Sequence, residues 1–180
     1  MMPNWVYSTL KVKGKRERIE QFKERFKGIE YGQERALSNE KVFPYPLKYK
    51  VPDKICSMMN GNKNMLKGEL LTDEELEFAL KYVKKESLEK DGYNKGGHDW
   101  YIETFGTKWG FCDSQIYKET SRSLTYSFST TWSPIFNAIY KMSKGFPDLE
   151  LVYYCNEESR AFKFTAWIKD GELIKQNGTI

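Results

Sequence analysis

The chain has 180 residues and a formal net charge of +4, from 29 basic and 25 acidic side chains, with 39% of its residues hydrophobic and 30% charged. That length fits one domain with room for a large insertion, and so small a basic excess excludes the footprint of an obligate DNA binder. With aromatics at 16% of the residues, the core is expected to rest on few, large side chains beneath a heavily charged surface.

In chain order, Asn4 to Lys13 alternates, with Val6, Leu10 and Val12 on one side and Trp5, Tyr7, Thr9 and Lys11 on the other, the period of a half-buried strand. Ile19, Phe22 and Phe26 then mark a helical stripe from Lys15 to Lys27, with Gly28 read as its C-cap. Lysines and arginines crowd this stretch, and the reading is a solvated helix face with mixed ion pairs.

From about Ile29 to Gly97 the character changes, with Pro44, Pro46, Pro52 and an Asn/Gly run from Asn60 to Asn64. Inside this stretch Thr72-Asp73-Glu74-Glu75 is a capping box. It predicts a helix over Asp73 to Ser87 with Leu76, Ala79, Leu80 and Val83 as its apolar face. A short helix over His98 to Phe105, stopped by Gly106, closes an insertion at about 29–110.

Strands follow near Ser114 to Lys118 and over Ser123 to Thr131. Ser133-Pro134 has the cap-then-proline form of a helix start, with Ile135, Phe136, Ile139 and Met142 on the apolar stripe and Gly145 at the end. Leu149 to Cys155 and Ala161 to Lys169 alternate around the turn Asn156-Glu157-Glu158-Ser159, and a last short strand is expected after Asp170-Gly171. Without the insertion this is βαββαβ plus a hairpin strand. The fold class is therefore α+β: a single domain over 1–180, with a ferredoxin-like (split βαβ) antiparallel sheet, two helices on one face and a large helical insertion after the first helix.

Three cysteines, Cys56, Cys112 and Cys155, lie far apart, so no disulfide framework, zinc site or iron–sulfur cluster is expected, and no cofactor or metal is read from the sequence. The opening residues carry no leader pattern and no apolar run is long enough for a bilayer span; the expected location is cytoplasmic, away from membranes. Asn177-Gly178-Thr179 matches a glycosylation acceptor that would be silent there.

The tryptophans sit in short polar phrases: Met2-Pro3-Asn4-Trp5, Phe105-Gly106-Thr107-Lys108-Trp109 and Thr130-Thr131-Trp132-Ser133-Pro134. On these phrases the chain resembles the YubB-type, or Api-like, ferredoxin-like proteins of phages and plasmids, with Phe105 and Thr131 departing from the usual family phrases. The resemblance implies the ferredoxin-like fold and an origin on a mobile element. It brings no established activity.

The function expected from this is a non-catalytic accessory protein that acts by binding, with a host or defence protein as the partner. A nucleic-acid binder using the aromatic open sheet face is the first alternative, since bases stack on aromatics set among lysines and hydroxyls. The residues for such a face are Trp5, Tyr7, Tyr154, Lys163 and Trp167, accompanied by Ser127, Ser129 and Thr165. Lys108, between Thr107 and Trp109, is a further binding candidate whose stem can lie across an indole. An enzyme centred on His98, with Asp99, Glu103 and Lys108 near it in sequence, is the second alternative. Trp132 is expected to be buried beside the helix it precedes. Trp5 and Trp167 are expected to be covered in part by the insertion, through Trp100 or Tyr101.

Overall fold

The computed structural model describes residues 4–30, 32–59, 71–84 and 90–179. Strand β1 (Trp5–Lys13) buries Val6, Ser8, Leu10 and Val12 and turns the residues between them the other way. Helix α1 (Arg16–Phe26) lays Ile19, Phe22 and Phe26 on the same core. Its cap is Lys27, whose amide reaches the Lys23 carbonyl, and not Gly28. Gly28 instead opens β2 (Gly28–Glu30), where a Cβ would stand 2.7 Å from that of Ser38. The basic stretch of α1 is committed to ion pairs, with Arg18 held by Asp148 at 2.9 Å and Lys23 by Glu119 at 2.9 Å.

β2 pairs with β3 (Gln33–Arg35) in a small hairpin. The chain continues through α2 (Asn39–Val42), α3 (Leu47–Met59), α4 (Asp73–Tyr82), a tight turn at Tyr93–Lys95 and α5 (Gly97–Phe105). After them come β4 (Cys112–Thr120), β5 (Ser123–Thr131), α6 (Phe136–Lys144), β6 (Glu150–Glu157), β7 (Lys163–Lys169) and β8 (Glu172–Thr179).

Among the described residues the main sheet has six strands in the order β4-β5-β1-β6-β7-β8, every neighbouring pair antiparallel. β4-β5-β1-β6 with α1 and α6 is the split βαβ arrangement, and β7 and β8 extend it past β6. One face is dry. Leu124, Tyr126, Phe128, Leu151, Tyr153 and Phe164 meet Phe22 and Ile139 from the helices.

The stretch between α1 and β4 thickens the helical layer. Leu37, Val42, Phe105 and Phe111 belong to the core itself, and Trp100, Tyr101 and Phe43 pack against it. Trp100 and Tyr101 lie 5.9 and 5.4 Å from the Phe105 ring, so they are spent on this side and do not cover Trp5 or Trp167.

Three local readings are corrected. The capping box of α4 forms as expected, but the helix ends at Tyr82, Val83 and Lys84 lie beyond it, and the last part of the predicted span, 85–87, lies outside the described residues. Its buried residue is Glu75, while Leu76 and Leu80 are 47% and 82% exposed. Ser133 does not cap α6. Its hydroxyl donates to the Gly106 carbonyl, Thr130 Oγ1 donates to the Ser133 carbonyl at 2.8 Å, and the helix starts at Phe136. The turn after β6 begins later than predicted, because Glu157 stays in the strand and its carboxylate accepts from Ser159 Oγ and the Ala161 amide at 2.6 and 3.1 Å.

Candidate functional site

Register places the open face residue by residue, because directly paired residues of an antiparallel sheet share a side. One rung reads Cys112, Ser129, Tyr7, Asn156, Lys163 and Thr179. The next holds Gln115, Ser127, Thr9, Tyr154, Thr165 and Asn177, and a third holds Lys118, Thr125, Lys11, Val152, Trp167 and Lys175. Tyr7, Tyr154, Lys163 and Trp167 are thus brought onto one surface. Tyr7 is 53% exposed, and Tyr154 and Trp167 are half-buried by their neighbours.

Lysine ammonium groups lie against these rings. Lys175 Nζ is 5.1 Å from the Trp167 centroid and Lys163 Nζ is 6.0 Å from that of Tyr154. The face carries Lys11, Lys13, Lys118, Lys163, Lys169 and Lys175 against Glu150 and Glu172, with Lys13 paired to Glu150 at 2.7 Å. Ser127 Oγ in the middle of the face is buried and has no hydrogen-bond partner among the described residues.

Trp5 and Lys108 stand apart from this group. Trp5 shares its rung with Thr131, and over this end of the face runs the Gly106–Phe111 segment. Thr107 Oγ1 meets Thr131 Oγ1 at 3.3 Å, and both residues are fully buried. Trp109 then packs on Trp5 with ring centroids 6.1 Å apart, so the insertion does cover Trp5, through Trp109. Lys108 Nζ lies 4.8 Å from the Trp109 centroid, and its carbonyl accepts from Tyr93 OH at 3.4 Å. The tryptophan phrases are joints, and they join one another: the Trp132 amide donates to the Asn4 carbonyl at 2.9 Å. The Trp132 ring, however, is not buried. The chain leaves β5 through Trp132 at φ +68°, which swings the indole outward to 47% exposure.

His98 is not joined to Glu103 or Lys108. Its Nδ1 lies 3.0 Å from Asp99 Oδ1 in the first turn of α5, with the Tyr93 ring edge-on at 5.6 Å. Cys112 on the sheet edge is no ready nucleophile, because burial, and then the Asp113 charge, pushes its thiol up to about 11. Burial pushes Cys155 up to about 12. Among the described residues no three histidine, cysteine or carboxylate side chains converge as metal ligands, and no helix is long and apolar enough to cross a membrane.

Residues 104–177, from the end of α5 into β8, match the family model of the ferredoxin-like domain in Api92-like protein. This part of the chain is similar to that domain. Across 99% of the chain and 98% of the other, the structure is similar to the crystal structure of a protein api92 from Yersinia pseudotuberculosis, with a TM-score of 0.56 at 11% sequence identity. That likeness concerns the fold. Comparison with curated proteins gives no match.

The sequence reading omitted Lys118, Lys169 and Lys175 from the open face. For Lys118 and Lys175 the reason is that β4 and β8 carry register irregularities, since a single extra residue reverses the side to which simple alternation assigns every residue beyond it; Lys169 shares the parity of Trp167 on β7 and was legible by alternation.

Proposed function

We propose that the protein acts by binding, and that its ligand is a single-stranded nucleic acid laid across the open sheet face. The observation that carries this reading is the sheet surface, free of a covering element among the described residues beyond its Trp5 end, on which Tyr7, Tyr154 and Trp167 alternate with Lys11, Lys118, Lys163 and Lys175. Aromatic faces stack on bases of any sequence, and ammonium groups neutralise the phosphates between them. The modest net charge of +4 fits a basic strip confined to one face better than a protein that coats duplex DNA. Fluorescence anisotropy with labelled single-stranded and duplex oligonucleotides over a salt series tests it. Salt-dependent binding that favours the single strand is expected, and the absence of salt-dependent binding overturns it.

A second reading, an accessory protein of a phage or plasmid that engages a host or defence protein, is favoured by the apolar side chains Leu76, Leu80 and Tyr82, which α4 leaves exposed. Under that reading Leu80→Asp abolishes capture of the partner and leaves oligonucleotide binding intact.

A further inference from the structure

A cleft of about 710 Å³ opens behind the Trp5–Trp109 contact, between α3, the Tyr93–Lys95 turn, the β2–β3 hairpin and the start of β4. Its charge is opposite to that of the open face. Glu30, Glu40, Asp53, Asp91 and Asp113 line it against Arg35, Lys50 and Lys54, on a protein whose net charge is +4.

The cations are already engaged. Lys50 reaches Glu40 at 3.1 Å and Glu75 at 3.4 Å, Lys54 reaches Glu75 at 2.7 Å, and Arg35 reaches Asp113 at 3.5 Å. Asp53 and Asp91 have no cation within ion-pair distance among the described residues. Asp53 accepts from Tyr45 OH at 3.0 Å and the Tyr93 amide at 2.8 Å, while Asp91 accepts from the Asn94 amide at 2.8 Å. Burial pushes the Asp53 carboxyl above its ordinary value, and the Asp91 charge adds to the push. Among the described residues these two carboxylates therefore share one end of the cleft without an ion-pair partner, the cation charge felt there being that of Lys95 on the adjoining turn.

One helical turn beyond Asp53, Ser57 also lines the cleft. It is only 9% exposed, and its hydroxyl has no partner among the described residues. A buried hydroxyl without a partner carries a desolvation cost that a ligand donor or acceptor would remove. Tyr45, whose hydroxyl meets Asp53, and Tyr93, whose amide does, line the same cleft, and aromatic rings beside carboxylates are the surroundings that hold organic cations.

We propose that this cleft binds a small organic cation, an alkylammonium or guanidinium compound, with its charged head at Asp53 and Asp91, a hydrogen bond to Ser57 and its body against Tyr45 and Tyr93. The volume falls within the range of about 300–1,000 Å³ of small-molecule sites. An anion would meet a carboxylate surplus. A metal ion would lack a converging donor set among the described residues.

The test is isothermal titration of the full chain with agmatine and with 1,4-diaminobutane, using n-butanol and butyrate as neutral and anionic counterparts. Saturable binding of at least one amine, at a Kd of about 1 mM or tighter, is expected, with neither counterpart binding. Asp53→Asn should weaken it about tenfold or more, the size of a lost charge-assisted hydrogen bond. Glu103→Gln, which removes a carboxylate outside the cleft, should leave it unchanged. If Asp53→Asn loses its near-ultraviolet circular dichroism, Asp91→Asn takes its place under the same criterion. No saturable heat with either amine, equal binding of the counterparts, or unaltered affinity in the folded aspartate variant overturns the proposal. Because no nucleic acid enters the assay, its outcome is independent of the open-face reading.

Discussion

Lys54 Nζ stands 2.7 Å from Glu75 Oε2, with the two side chains only 10% and 3% exposed, and this pair ties α4 to α3. The same oxygen accepts from the Thr72 amide at 3.0 Å, so one carboxylate closes the capping box and docks the helix. It does the work expected of the apolar stripe, of which Leu76 and Leu80 face water instead. Lys54→Met leaves a buried carboxylate short of its nearest cation, and a cost of about 3–5 kcal/mol in the docking of α4 is expected. Faster amide exchange in α4, with the sheet unchanged, is the readout, and Lys54→Met combined with Glu75→Leu should recover most of the loss.

The same pair predicts an acid response. Burial would push the Glu75 carboxyl up, but the hydrogen bonds from Lys54 and Thr72 and the charges of Lys54 and Lys50 outweigh it and hold the group below its ordinary value. A carboxyl lowered by folding contributes stability that is present above its unfolded value of about 4.3 and is lost as pH falls through the folded one. Protection of the α4 amides, taken relative to their intrinsic exchange rates, should therefore fall as the pH is lowered below about 4, ahead of the main sheet. A single unfolding event shared by α4 and the sheet would contradict this.

Gly110 sits at φ +70°, and a Cβ there would strike the side-chain amide of Asn39. That amide holds the start of β4: Oδ1 accepts from the Phe111 amide at 2.7 Å, and Nδ2 donates to the Phe111 carbonyl at 3.2 Å. Gly110→Ala should cost at least about 2 kcal/mol, from backbone strain and the displaced buried amide. Gly145→Ala, at φ −71° and with its nearest contact at 3.5 Å, should stay within about 0.5 kcal/mol of the parent in denaturant unfolding.

Trp132 tests the outward turn at the end of β5. A buried tryptophan would cost about 3–5 kcal/mol on truncation. With the ring 47% exposed and φ at +68°, Trp132→Gly removes strain as well as contact, and should stay within about 1 kcal/mol of the parent.

On the open face, Trp167→Ala should weaken single-strand binding by about 1–3 kcal/mol through lost stacking. Lys11→Ala and Lys118→Ala should each lower the salt slope by about 0.7. Thermal unfolding of each variant, measured in parallel, separates lost binding from lost fold.

The sequence by itself determined the elements whose signal is periodic and local. Val6, Leu10 and Val12 marked β1, Ile19, Phe22 and Phe26 marked α1, and Leu124, Tyr126 and Phe128 marked β5, because alternation and the helical stripe follow from backbone geometry alone. It also determined the split βαβ order, and it placed Tyr7, Tyr154, Lys163 and Trp167 on one side, since strand parity needs no knowledge of the partner strand. Tertiary structure decided whatever depends on two segments meeting. Ser133 had the form of a cap, but the Gly106 carbonyl was close enough to take its hydroxyl. Leu76 and Leu80 had the form of a buried stripe, but Lys54 offered Glu75 a stronger dock. Trp109, not Trp100 or Tyr101, came to rest on Trp5, because the segment carrying Thr107 is fastened to Thr131. The acidic cleft was invisible for the same reason: Asp53 and Ser57 lie one helical turn apart on α3, but Asp91 is far along the chain, and only the packing of α3 against the Tyr93–Lys95 turn brings it to the same cavity.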